Sequence, residues 1–220
     1  MWTILLASSL TESLSDALRK EIIDGDLKPG VRLTEGWVAE HFNVARPTAK
    51  SGLERLIAEG ILRRAPRRST VVPLLSAADI DDIYFSREPI EAIAVAALAS
   101  RREAPPDAER ALALMRAAAE RGIHSQHTEA DIQFHRALVA AIASPRLRRM
   151  HDTVMGEAQL CIAQVRKVES VDLNGLTANH AAILDAIKDG NTGAAIDALN
   201  ADLQSCRNTL LRDVERENRI

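Results

Sequence analysis

Four side chains able to bind a metal or move a proton fall on apolar helical faces in the second half of the chain. Asp131 and His135 stand four residues apart, inside a stripe made by Ile132, Leu138, Val139 and Ile142. That spacing puts both on one face of a helix. His180 lies inside the stripe of Leu176, Ile183, Leu184 and Ile187, and Asp202 inside that of Ala195, Leu199, Cys206 and Leu210. Buried carboxylates and imidazoles are costly unless they are paired or bind a metal. Two Asp and two His make an N2O2 set that suits a divalent transition metal such as Zn, Ni, Mn or Fe. A buried Asp–His hydrogen-bond network without metal fits the same pattern.

A fifth residue belongs with them. Arg87 and Glu91 share the apolar face of Ile80, Ile83, Ile90, Ala94 and Ala97. A core-facing arginine needs an anion. Glu91 one turn on can supply it, and so can a bound carboxylate held bidentately.

A different chemistry is written in the first third. Residues 43–73 carry seven Lys/Arg against two acids, whereas residues 76–220 carry 17 against 22. A basic segment ahead of an acidic remainder points to a polyanionic partner for that segment alone. Arg46, Thr48, Lys50 and Ser51 open a helical segment, where Arg and Lys can reach guanine edges in a major groove. Arg67 and Arg68 sit at a polar corner after Arg63 and Arg64 and suit backbone phosphates.

The elements that must position these groups follow from period and punctuation. Leu14, Leu18 and Ile22 predict a helix over residues 10–24, stopped by Gly25 and the Lys28-Pro29-Gly30 turn. Thr34 reads as an N-cap for a short helix through His41. Pro47 fits the first turn of a third helix, which runs to Glu59 and ends at Gly60. Ile61–Arg64 and Thr70–Val72 read as a hairpin around a basic tip. Pro73-Leu74-Leu75 is a boundary, and Ser76-Ala-Ala-Asp79 resembles a capping box. Helices are then predicted near 79–101, 106–121, 125–143, 146–168, 175–189 and 192–216. The expected fold is mostly α: a winged helix-turn-helix over residues 8–73 and an antiparallel all-helical bundle over residues 76–217.

Composition agrees. The 220 residues are 46% hydrophobic, 27% charged and only 3% aromatic, with a net charge of −3. These values fit a soluble globular protein rich in helix. Cys161 and Cys206 have no CxxC spacing and are expected as buried, reduced thiols of a cytoplasmic protein. The apolar stretch Ile4-Leu5-Leu6-Ala7 lacks a basic flank and is too short for a signal or a span, so no membrane role is expected.

The first segment resembles the GntR family of bacterial regulators. The residues that carry the resemblance are Ile23-Asp24-Gly25-Asp26-Leu27-Lys28-Pro29-Gly30, Leu33-Thr34-Glu35, Val38-Ala39-Glu40, Val44-Ala45-Arg46, Leu53-Glu54-Arg55-Leu56 and Glu59-Gly60-Ile61-Leu62, with the arginine-rich wing. The resemblance implies that Arg46 and Lys50 stand where the family places DNA-contacting basic residues. Three positions depart from the family's pattern. Pro47 comes one residue early, Gly36 stands where many members have an arginine, and Ser69 replaces a wing glycine.

Residues 79–216 are similar to the FCD ligand-binding domain of the FadR-type branch. The matching residues are Ile83-Tyr84 through Arg87 and Glu91, Asp131/His135/Leu138, and Asn179-His180 through Ile187. The resemblance implies an Asp and three His as metal ligands, with Asp202 at the place of the third His. It also implies a small organic acid bound beside the metal, with Arg87 and Asn179 as effector contacts. Asn179 replaces the commoner Glu.

Together these readings describe a DNA-binding regulator, expected as a repressor and a homodimer on a pseudo-palindromic double-stranded operator, modulated by a small carboxylate. It is not expected to be an enzyme. The alternatives are a metal-dependent enzyme on a helical bundle, which leaves the basic wing without a role, and a scaffold whose polar core groups only set packing.

Overall fold

The computed structural model describes the backbone of residues 3–65, 69–165 and 172–217. Two compact units emerge, Met1–Ser76 with Gly156–Arg166, and Ala77–Met155 with Lys167–Ile220.

The first unit opens with α1 (Thr3–Ile23), followed by β1 (Arg32–Leu33), α2 (Glu35–His41), α3 (Arg46–Ala58), β2 (Arg63–Ala65) and β3 (Ser69–Val71). Leu14, Leu18 and Ile22 of α1 are buried, as their four-residue spacing requires. Thr34 caps α2, its hydroxyl accepting from the Trp37 N–H at 3.2 Å. The turn into α3 passes through Asn43 at φ 50°, and Val44 N–H closes it on the Ala39 carbonyl at 2.9 Å. Asn tolerates that left-handed conformation better than most residues. Pro47 lies in the first turn of α3, where its missing N–H costs no intrahelical bond.

Helices α1 and α3 pack closely at Gly52. A Cβ there would come within 2.9 Å of Leu14 Cδ2. The same pair is tied by ions: Arg55 Nη1 meets Glu12 at 3.1 Å, and Arg19 pairs with Glu59, which Arg55 Nε also holds at 2.9 Å from within α3.

The expected hairpin forms, and it gains a third strand that the sequence pattern does not announce. The sheet order is β1-β3-β2, all antiparallel, with Arg32 opposite Val71 and Arg64 opposite Thr70. Strand β1 is only two residues long, too short for period-two patterning to register. Three helices and this small sheet, whose β1 lies between α1 and α2, make a winged helix-turn-helix.

The second unit contains α4 (Ala77–Arg101), α5 (Pro106–Glu120), α6 (His124–Ala140), α8 (Leu173–Asp189), α9 (Thr192–Glu217) and the first part of α7 (Pro145–Val165). Its core holds Ile80, Leu98, Met115, Ile132, Phe134, Leu138, Ile183 and Leu199. Each fully buried aliphatic side chain contributes about 1.5–3 kcal/mol. Helix α4 packs on α9, α9 on α8, and α5 on α6 and α8. This helical bundle brings the polar faces of α4, α6, α8 and α9 into one interior. No helix among the described residues is long and apolar enough to cross a membrane.

From Gly156 onward, α7 belongs to the first unit. A Cβ at Gly156 would fall 1.6 Å from the Glu59 carbonyl oxygen. Gln164 donates to the Pro73 carbonyl at 2.6 Å and accepts from Leu75 N–H at 3.1 Å.

Candidate metal centre and candidate nucleic-acid face

The centre of the second unit is organised by Glu91, a fully buried carboxylate on α4. It accepts from Arg87 Nε at 2.8 Å, from His135 Nδ1 at 2.6 Å and from His151 Nε2 at 3.1 Å. Burial alone would raise its pKa. The Arg87 guanidinium and His135 outweigh that and hold it well below the usual carboxylate range. Glu91 is therefore a pure acceptor, and Nδ1 of His135 must carry the proton.

His180, on α8, is fixed in the same sense. Its Nδ1 donates to the Leu176 carbonyl at 2.8 Å. In their neutral forms both imidazoles then present an unprotonated Nε2 to the interior. The two Nε2 atoms stand 3.3 Å apart. Asp131 Oδ1 lies 2.9 Å from His180 Nε2 and 4.0 Å from His135 Nε2. Two lone pairs and a carboxylate facing one another need a cation between them.

Protons are one answer. Burial lowers the basicity of His135, but Glu91 and Asp202 outweigh it and push the pKa up to about 10. His180 is raised as well, against burial, by Asp202 and Asp131. Asp131 is held below its ordinary value, against burial, chiefly by His180.

A metal is the other. Asp131, His135 and His180 each offer a ligand atom within 4.8 Å of the others. Neighbouring ligands on an ion that binds nitrogen at about 2.0–2.1 Å are roughly 3 Å apart, so the 3.3 Å separation fits. The outer contacts fit too, because ligating histidines hold their second nitrogen on a carboxylate or a backbone carbonyl.

Asp202 borders this group. Its Oδ2 is 3.4 Å from His135 Nε2 and its Oδ1 is 3.6 Å from His180 Nδ1. Arg87 is 1% exposed and packs its guanidinium carbon 4.9 Å over the Tyr84 ring. The Tyr84 hydroxyl meets Cys206 Sγ at 2.9 Å, one turn along α9 from Asp202. Both cysteines are free. Asn179 is half-buried on α8, next to His180 in sequence.

The sequence reading placed Arg87 and Glu91 on one face without choosing Arg87's partner, and it missed His151 altogether. His151 is buried on α7. Its signal was present, since it lies four residues from Leu147 and four from the buried Met155.

The nucleic-acid face belongs to the first unit. Arg46 is the first residue of α3, and Arg46, Lys50 and Ser51 are exposed while Thr48 is half-buried. Among the described residues neither Arg46 nor Lys50 is ion-paired. The Arg46 guanidinium lies over the start of α2, where a Cβ on Gly36 would meet its Nη2 at 3.8 Å and Thr34 Oγ1 at 3.9 Å. On the wing, Arg64 pairs with Glu54 and Arg63 with Glu157. Arg67 and Arg68 lie outside the described residues.

Comparison with known proteins agrees with both halves. Residues 10–72 match the bacterial regulatory proteins of the gntR family, and residues 82–205 match the FCD domain. The chain is 28% identical over 149 residues to the uncharacterized HTH-type transcriptional regulator YdhC of Bacillus subtilis (strain 168), spanning 66% of each protein. It is 26% identical to the gluconate operon transcriptional repressor of the same organism, over 83% of this chain and 77% of that one. Among solved structures, a GntR transcriptional regulator from Rhodococcus sp. RHA1 superposes with a TM-score of 0.78 at 27% identity, over 92% of this chain and 98% of that one. These matches set aside the reading as a metal-dependent enzyme. The chain belongs to the gntR family of bacterial regulatory proteins, carries an FCD domain, and is a DNA-binding transcriptional regulator.

Proposed function

We propose that this regulator is a cytoplasmic, homodimeric repressor that releases a pseudo-palindromic operator when a small organic acid binds in its helical domain. In this reading residues 8–73 form the DNA-binding domain and residues 76–217 the sensor. Arg46, Thr48, Lys50 and Ser51 reach base edges from the N-terminal end of α3, and Arg67 and Arg68 meet phosphates from the wing. The exposure of Arg46, Lys50 and Ser51, with neither Arg46 nor Lys50 ion-paired among the described residues, supports the first assignment. The similarity to a gluconate operon repressor supports the sign of regulation.

Asp131, His135 and His180 hold a divalent ion, with the buried Asp202 carboxylate beside them as a fourth ligand. The ion supplies a positive centre for an anionic oxygen. Arg87 binds the acid's carboxylate and Asn179 lines the same side. The observation that carries this reading is the pair of imidazole Nε2 atoms 3.3 Å apart, each with its other nitrogen already committed. Binding of the acid alters operator affinity only if it prefers one of two states of the protein.

Metal analysis and native mass of the purified protein test the centre and the dimer together. One divalent ion per chain and a mass of two chains are expected. Protein purified with zinc or manganese present that retains neither ion would refute the centre.

A further inference from the structure

Trp37, the third residue of α2, is a large ring that the fold leaves 38% exposed. It is nonetheless held in place. The indole stacks on the His41 imidazole one turn on, with centroids 4.5 Å apart and planes 14° apart. His41 in turn packs edge-on against Phe42 at 4.7 Å, and its Nε2 meets Glu21 of α1 at 3.0 Å. Rings anchored in this way on a neighbouring helix orient the indole before any partner arrives. Its N–H makes no hydrogen bond among the described residues, and an indole nitrogen can only donate.

The position of this unused donor is informative. Side chains on a helix lean towards its N-terminus, so Trp37 belongs to the surface around the first turn of α2. The residue before it, Gly36, has no side chain, and the Arg46 guanidinium lies beside it: a Cβ on Gly36 would meet Arg46 Nη2 at 3.8 Å. Thr34 joins the two sides. Its hydroxyl oxygen is 3.9 Å from the same Cβ and accepts from the Trp37 backbone N–H at 3.2 Å. The first turn of α2 and the first residue of α3 therefore share one surface. In a helix-turn-helix the second helix of the pair enters the major groove while the first crosses the phosphate backbone. Arg46 opens the groove helix, and Trp37 lies in the first turn of the crossing helix.

We infer that Trp37 is a DNA contact whose indole N–H donates to a backbone phosphate at the edge of the groove that α3 enters. This goes beyond the side chains assigned above and rests on the reading of α3 as the groove helix. A phosphate offers acceptors only, and the indole satisfies one without bringing a charge. The contact adds affinity but no sequence preference. It also displaces no counterion, so its loss leaves the salt dependence of binding as it was, unlike the loss of a lysine or arginine.

The test uses labelled duplexes that the wild-type protein selects from a random-sequence pool, together with their single-base variants. Full-length Trp37→Phe, Trp37→Ala and Arg46→Ala are titrated against them by fluorescence anisotropy at several salt concentrations. Trp37→Phe keeps a ring on His41 but removes the donor. Both Trp37 variants are expected to bind about tenfold more weakly, as the loss of a hydrogen bond to a charged group gives. The factor should be the same on every duplex, and the salt slope should be that of the wild type. In a Trp2→Phe background, where Trp37 is the one remaining tryptophan, its emission should change when the selected duplex saturates the protein. Wild-type affinity for Trp37→Phe overturns the inference whatever Trp37→Ala does, because the donor is then unused. A shallower salt slope overturns it too, since a charged contact has then been lost instead, and so does Trp37 emission that DNA leaves unaltered. Wild-type affinity for Arg46→Ala removes the reading of α3, and this inference falls with it. A loss for Arg46→Ala alone overturns only the indole contact. Should Trp37→Ala fail to fold, Trp37→Phe decides alone.

Discussion

Glu91 and His135 form the shortest of the three contacts at the buried carboxylate, Nδ1 to Oε2 at 2.6 Å, with both side chains at most 1% exposed. This one bond sets the tautomer of His135 and aims its Nε2 at His180. It also places the counter-charge for Arg87 against the ligand group. Removing either partner therefore disturbs stability and metal binding together.

Glu91→Gln tests that coupling. It leaves Arg87 as a buried cation without its anion, a change that costs about 3–5 kcal/mol in comparable cases. It also loosens the orientation of His135, and outer-shell changes of this kind lower metal affinity about 10–100-fold. Denaturant melts and zinc competition against a chromogenic chelator read the two effects. A variant unchanged in both would remove Glu91 from its role.

The protons of the centre give a pH test with a defined sign. An imidazole ordinarily titrates near 6.5, and in the folded protein His135 is pushed up to about 10. The raised value means that the fold favours the protonated ring. That contribution is whole below about pH 6.5 and is lost as the pH climbs towards 10. Metal-free protein should melt at progressively lower temperature across this window, and zinc-loaded protein should show a flatter profile because the ion stands in for the protons. A flat profile for the metal-free protein would contradict the assignment.

On the DNA face, Arg46→Ala should weaken binding to a selected operator by about 1–3 kcal/mol and relax preference at one base position. Lys50→Ala should lower affinity, and where Lys50 meets a phosphate it should do so evenly across sequences and make the salt dependence shallower. Fluorescence anisotropy at several salt concentrations separates the two. Unaltered affinity for Arg46→Ala throughout the series would exclude it from readout.

Two substitutions in the first unit calibrate its packing. Thr34→Ala removes the α2 cap and should cost about 1 kcal/mol. Gly156→Ala puts a methyl group on the Glu59 carbonyl, since the ideal Cβ falls 1.6 Å from that oxygen. Backbone on both sides must shift, and overpacking of this kind costs typically about 1–3 kcal/mol. Thermal melts should rank Gly156→Ala as the more damaging. The reverse order would show that the contact relaxes cheaply.

Much of the architecture was legible because it depends on local rules. The Leu14/Leu18/Ile22 spacing, the Thr34 cap and Pro47 in the first turn of α3 each act within a few residues. Asp131, His135 and His180 were legible too, because a polar residue inside an apolar stripe must face the core. The hub at Glu91 was not. Which anion serves Arg87, and that His135 and His151 converge on it, depends on how α4, α6 and α7 are arranged in space, and periodicity carries no information about that. Strand β1 was missed for the opposite reason. Two residues hold too little pattern, and Arg32–Leu33 becomes a strand only because β3 offers it a free edge.

The clasp made by the second part of α7 bears on how the protein can be dissected. An N-terminal fragment cut after Ser76 contains every residue that matches the gntR family. Yet it would strip away Gln164, leaving the Leu75 N–H and the Pro73 carbonyl without the amide that joins them. It would also bare the end of α3, where Glu59 now meets the Gly156 backbone. The segment that reads as a self-sufficient module in the linear chain is completed by residues 80 positions further on, so its autonomy ends where those ten or so residues are deleted.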